Sequence, residues 1–153
     1  MSFSPNIVGF ACQWCTYAGA DLAGNLRCKY PPAIKLIRVP CSGSVEPEYV
    51  LESLARGADG VFIGGCHYGD CHYKEGNYKT SRRMTVLKKM IEDAGFDPKR
   101  FRLEWISGAE GKRFAEVVVE TILRMNIVTL PLKKTHAAVA YQQSLKGLSS
   151  HLP

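Results

Sequence analysis

Four of the six cysteines in this 153-residue chain stand in two close pairs. Cys12 and Cys15 bound the C-x2-C of "CQWC", and Cys66 and Cys71 bound the C-x4-C of "GGCHYGDCHY". A fifth, Cys41, ends "IRVPC". Thiols at such spacings suit three chemistries. Iron–sulfur clusters are held mainly by thiolates, four for a 2Fe–2S or 4Fe–4S centre. Zinc takes the same soft ligands in a tetrahedral site. A C-x-x-C ahead of a helix can instead exchange disulfides, because the helix N-terminus lowers a thiol pKa.

The elements that must position these thiols follow from the apolar pattern. Four segments read as strands: "NIVGFA" (6–11), "IKLIRV" (34–39), "GVFIGG" (60–65) and "FRLEWI" (101–106). The first and third are nearly continuous apolar runs, as expected of parallel strands covered on both faces. Lys35 and Arg38 interrupt the second and place it nearer an edge.

Helical patterns separate the strands. Segment 46–57 has Pro47 in its first turn and Gly57 at its end. In 78–94, Met84, Leu87 and Ile91 share a face; in 110–125, Phe114, Val117, Val118, Ile122 and Met125 do. Strand and helix alternate, so the expected fold is a single α/β domain over 1–126, with a roughly four-stranded parallel sheet flanked by helices and right-handed crossovers. Residues 127–153 read as a C-terminal extension, with a possible helix over 134–146 and a possible partner-binding role.

On that scheme Cys12, Cys41 and Cys66 each follow a strand, and Cys15 and Cys71 lie in the same loops. The carboxyl ends of parallel strands share one edge, where α/β proteins build their sites. Five thiols therefore converge on one rim. Cys28, in "GNLRCKYPP", stands apart as a structural or surface thiol. Iron–sulfur ligation by four of the five is the leading reading, because it uses the whole group. Zinc would leave Cys41 idle, and exchange at Cys12/Cys15 would leave three thiols without a role.

Gly64, Gly65 and Gly69 either bring amides towards the sulfurs or merely make the turn. His67 and His72 are expected beside the centre or at the surface rather than as ligands; His136 and His151 say little. No carboxylate pair, Ser/His/Asp arrangement or P-loop lysine accompanies the glycines.

Composition bounds the alternatives. The chain is 46% apolar and 22% charged, ordinary for a globular protein. No apolar run approaches the ~20 residues of a membrane span. The start "MSFSPNIVGF" lacks the marks of a signal peptide, so the cytoplasm is expected, and there six cysteines argue for metal or thiol chemistry over disulfides. The net charge of +6, with Arg82, Arg83, Lys88 and Lys89 on one helix, reads as a solvated face or a dock for an acidic partner. No nucleic-acid motif accompanies it.

"CQWCTYAGADLAG", "YPPAIKLIRVPCSG", "GADGVFIGGCHYGDCHYKEGNYK" and "RLEWISGAEGKRFAEVV", in this order, resemble the delta subunit of methyl-viologen-reducing (non-deazaflavin-reducing) hydrogenase. The resemblance spans residues 6 to 125, and Cys28 has no counterpart in its motifs. It implies a small protein with a 2Fe–2S cluster on four of Cys12, Cys15, Cys41, Cys66 and Cys71. It also implies no catalytic centre of its own. Its partners would be the small subunit of a nickel–iron hydrogenase, or a formate dehydrogenase, together with the flavoprotein subunit of heterodisulfide reductase. Electrons would pass to a bifurcating flavin, with methanogenesis as the setting.

Overall fold

A computed structural model describes the backbone of residues 4–128 and the side chains of residues 4–125. The order is β1 (Ile7–Cys12), α1 (Thr16–Asn25), β2 (Ile34–Val39), α2 (Pro47–Ala55), β3 (Gly60–Gly65), α3 (Gly76–Asp93), β4 (Phe101–Trp105) and α4 (Gly111–Val128). Short 3-10 turns at Ser42–Ser44 and Pro98–Arg100 fill two connections. The four strands form one parallel sheet in the order β2-β1-β3-β4. The expected α/β architecture is what the chain adopts. The possible helix over 134–146 lies outside the described residues.

The sheet feeds two cores, because successive side chains point to opposite faces. Phe10, Val61, Ile63 and Phe101 pack with Val50, Leu51 and Leu54 of α2 and Met84, Leu87 and Ile91 of α3. Ile7, Phe62 and Ile106 pack with Ala23 of α1 and Phe114, Val117, Val118, Ile122 and Met125 of α4. Helices thus cover both faces, and the apolar stripes anticipated on α3 and α4 are the ones that bury. Every residue of β3 is buried, whereas β2 is mostly exposed or half-buried at its edge. Among the described residues no helix is long and apolar enough to cross a membrane.

From β1 the chain goes outward to β2, then crosses back to β3 on the other side of β1. The space between β1 and β3, at their carboxyl ends, is therefore the point where strand order reverses. Open α/β sheets leave a crevice there. Cys12 ends β1, and Cys66 directly follows β3.

Candidate metal centre

Cys12, Cys15, Cys41, Cys66 and Cys71 form one buried cluster, none more than 8% exposed. The structure brings together all five thiols marked in the sequence. Cys28 packs instead against the core between the sheet and α1/α4. The sulfurs are not evenly spread. Cys12 Sγ lies 3.9 Å from Cys66 Sγ, and Cys41 Sγ lies 3.9 Å from Cys71 Sγ. Cys15 joins the first pair, so that Cys12, Cys15 and Cys66 offer sulfurs within 4.8 Å of one another.

Local structure aims backbone donors at this cluster. The Gly43 amide donates to Cys41 at 3.3 Å, and the amides of Trp14 and Ser42 act on Cys12, each lowering its pKa. The amides of Tyr73, Asn77 and Gly76 act on Cys71, each lowering its pKa. Two of these three open α3, which therefore starts two residues earlier than its apolar stripe suggests. Its free N–H groups meet the sulfur that needs them.

The close approach depends on missing side chains. A Cβ at Gly76 would lie 2.2 Å from Cys41 Sγ and 3.0 Å from Cys71 Sγ. A Cβ at Gly43 would lie 2.8 Å from the backbone of Gly76. The Cys41 turn and the start of α3 thus touch glycine to glycine, which lets their cysteines pair.

Gly64 and Gly65, expected beside the sulfurs, make other room. Gly64 accommodates Thr16, and Gly65 accommodates Ser42 and Trp105. Gly69 makes a turn at φ +89.

Side chains brace the loops. Asn77 is fully buried and donates to the carbonyls of Cys66 (3.2 Å) and His67 (2.7 Å). Arg83 donates to the Gly43 carbonyl at 2.8 Å and pairs with Glu46 at 3.0 Å. It is thus no simple solvated charge. Thr16 Oγ1 donates to the carbonyls of Gly65 and Ile106, each at 3.4 Å. The imidazoles have other partners: His67 Nε2 is 2.7 Å from Glu110 Oε2, and His72 stacks on Trp14 with centroids 3.8 Å apart.

The thiols share their protons unequally. Cys12 is held far below its ordinary value by hydrogen bonds from Cys15 and Cys66, with the Trp14 and Ser42 amides assisting and burial opposing. Cys15 is pushed up to about 12, first by its bond to Cys12. Cys66 is pushed up by its bonds to Cys12 and Cys15, then by burial. Burial also raises Cys41, against the Gly43 amide. At Cys71 burial acts upward but is outweighed by the three amides and Cys41, so the thiol sits below its ordinary value. A metal bound by the trio would displace its remaining protons.

The donor set fits a metal centre. Metal–thiolate bonds of about 2.3 Å place two ligands of one tetrahedral ion about 3.8 Å apart. Each 3.9 Å pair matches that spacing. Thiol exchange fits less well, because Cys12 is 1% exposed and Cys15 only 4%. The centre nevertheless lies close under the surface. Trp14, Tyr68 and Tyr73 on the loops around it, and Tyr78 in the first turn of α3, are each about half exposed.

Gly43, Gly76, Ser42, Asn77 and Trp14 escape a reading of the sequence alone. The "SG" directly after Cys41 and the "GN" five residues after Cys71 are the available signals.

The chain resembles known proteins along most of its length. Residues 7–127 match the family model "Methyl-viologen-reducing hydrogenase, delta subunit". An iron-sulfur subunit of F420-non-reducing hydrogenase from Archaeoglobus profundus is 62% identical over 118 residues, covering 77% of this chain and 86% of that protein. The vhc iron-sulfur subunit of F420-non-reducing hydrogenase from Methanococcus voltae is 55% identical over 113 residues, 74% of this chain and 78% of its own. A subunit of the ferredoxin:CoB-CoM heterodisulfide reductase of Methanosarcina mazei is 43% identical over 145 residues, 93% of this chain but only 18% of that much longer protein. By its matched length and its motifs, the chain belongs to the family of methyl-viologen-reducing hydrogenase delta subunits.

Proposed function

We propose that this chain is the iron–sulfur subunit of an F420-non-reducing hydrogenase, or of a formate dehydrogenase assembly, acting in the cytoplasm. It holds a 2Fe–2S cluster on four of its five clustered cysteines and relays electrons to the flavoprotein subunit of heterodisulfide reductase. The observation that carries this reading is the pair of 3.9 Å sulfur spacings, which suits two irons with two thiolates each. When bound, such a cluster supplies one-electron oxidation and reduction.

The chain's own residues position and tune that centre. Amides of Trp14, Ser42, Gly43, Tyr73, Gly76 and Asn77 stabilise thiolate charge at Cys12, Cys41 and Cys71. Burial of all five sulfurs keeps water from them, and the thin aromatic rim leaves them near a docking surface. No acid–base pair is needed, because no bond to hydrogen is made or broken at the site.

The partner assignment draws on the Methanosarcina mazei reductase, one subunit of which carries a matching segment within its own chain. A domain fused into a reductase polypeptide in one organism and separate in another works most simply against the same surface in both. The C-terminal extension from residue 127 is part of this proposal as a partner-binding segment.

The test is anaerobic purification followed by metal and sulfide analysis. Two irons and two acid-labile sulfides per chain, with an EPR signal on reduction that vanishes on mixing with the oxidised reductase flavoprotein, is the expected result. Colourless protein with one zinc per chain would overturn the reading in favour of a zinc-stabilised module.

A further inference from the structure

We infer that the five sulfurs divide into an exclusive pair, Cys41/Cys71, and a redundant trio, Cys12/Cys15/Cys66, in which Cys15 is the thiol left outside the ligand set. This assignment rests on the cluster reading above and goes beyond it by stating which thiols can replace which.

Spacing makes the first division. Two thiolates on one tetrahedral ion lie about 3.8 Å apart. Cys41 and Cys71 meet that distance, as do Cys12 and Cys66. Cys41 and Cys71 lie outside the group of three sulfurs within 4.8 Å of one another. No sulfur of that group lies within 4.8 Å of both Cys41 and Cys71, so none joins that pair as Cys15 joins Cys12 and Cys66. In the trio, any two sulfurs are near enough that a small rotation could bring them onto one ion.

Backbone origin separates Cys15 from its neighbours. Cys12 closes β1 and Cys66 follows β3, and those strands are hydrogen-bonded neighbours in fixed register, Ala11 opposite Gly64. Their sulfurs face each other across the point where strand order reverses. Cys15 instead comes from the turn that enters α1, with Thr16 Oγ1 3.7 Å from its sulfur. That hydroxyl is anchored on the Gly65 and Ile106 carbonyls. Cys15 therefore has a fixed protein partner of its own beside the pair.

Alanine replacements test the division, because serine could itself ligate through oxygen. Each variant is purified anaerobically as the full chain and read by iron and sulfide content, EPR and far-UV circular dichroism. Cys15→Ala should keep the wild-type iron content and spectrum. Cys41→Ala and Cys71→Ala should fall below about a tenth of wild-type iron while keeping a folded dichroism spectrum. Cys12→Ala and Cys66→Ala should keep iron with a changed EPR spectrum, as Cys15 takes the empty place. The double variants Cys12→Ala/Cys15→Ala and Cys15→Ala/Cys66→Ala should lose it.

Loss of iron in Cys15→Ala, full iron in Cys41→Ala or Cys71→Ala, or loss in both Cys12→Ala and Cys66→Ala would each overturn the inference. If one of the exclusive pair fails to fold, the other decides its side. Wild-type chain without iron would instead defeat the cluster reading itself, a separable outcome.

Discussion

The two ends of this sheet use the same kinds of group for opposite purposes. At the amino ends of the strands the polar groups satisfy one another. Asn6 donates its amide to Asp59 Oδ2 at 2.8 Å, and Asp59 returns its amide to the Asn6 carbonyl at 2.8 Å. Arg100 donates to the carbonyls of Asp59 (2.6 Å) and Ala58 (2.7 Å) and lies over the Phe96 ring. At the carboxyl ends the donors turn inward onto sulfur, and the aromatic side chains stay half exposed. One end closes the fold; the other gathers its donors on sulfur. Buried donors directed at thiols stabilise the charged sulfur a metal requires.

The contrast between the ends can be broken most decisively at Gly76. An alanine methyl there would collide with Cys41 Sγ, a movable atom at the end of a short side chain. The chain can relieve that clash by swinging the sulfur away, which separates Cys41 from Cys71 but leaves the sheet alone. Gly76→Ala should therefore lose most of its bound iron while keeping its helical dichroism and its thermal transition. Full iron in that variant would show that the glycine contact does not set the sulfur spacing.

At the opposite end Arg100→Ala should have the reverse signature. It leaves two carbonyls without their charged donor, at a cost of about 2–3 kcal/mol. For a chain of this size that is a fall in melting temperature on the order of 5–10 °C. The iron content and EPR spectrum of the folded protein should not change. A spectral change would mean that the two ends are mechanically coupled and do not serve separate purposes.

The sequence discloses more about the sheet than about the site. Long apolar runs make β1 and β3 recognisable as buried strands, and Lys35 and Arg38 correctly put β2 at an edge. Those features are local: a strand's burial is written in its own residues. Cys12, Cys41 and Cys66 are legible for the same reason, since each sits in or just beyond a strand end, and Cys15 and Cys71 follow in the loops after β1 and β3.

What makes them a site is less legible, because it depends on distant pairs. Gly76 matters only because Cys41, 35 positions earlier, comes to its Cα. Arg83 reads in sequence as part of a basic face, yet it holds the Gly43 carbonyl across the fold. Gly64 and Gly65 stand out by adjacency to Cys66, and their space is taken by Thr16, Ser42 and Trp105.

Glu110 offers the finest test, because it stands at the carboxyl end yet belongs to the self-satisfied kind of polar group. Its carboxylate accepts the Ser107 amide at 2.7 Å and meets His67 Nε2 at 2.7 Å. The amide first, and His67 second, hold its pKa at about 2. A carboxyl with a lowered folded value contributes stability above its ordinary pKa of 4.5 and loses it as pH falls towards about 2. At pH 7 the contribution is therefore fully present. The side chain is 39% exposed, so solvent screening keeps the contribution small. Glu110→Gln should cost under about 1 kcal/mol at pH 7, read from the denaturant midpoint. The carboxyl carbon-13 resonance of Glu110 in the wild-type chain should stay unchanged from pH 7 down to pH 5. Iron content should match wild type, since Glu110 braces the loop after Cys66 from outside while Asn77 holds the Cys66 carbonyl from within. A carboxyl that starts to titrate above pH 5, or a variant that loses iron, would move Glu110 from the closing kind of contact into the machinery around the sulfurs.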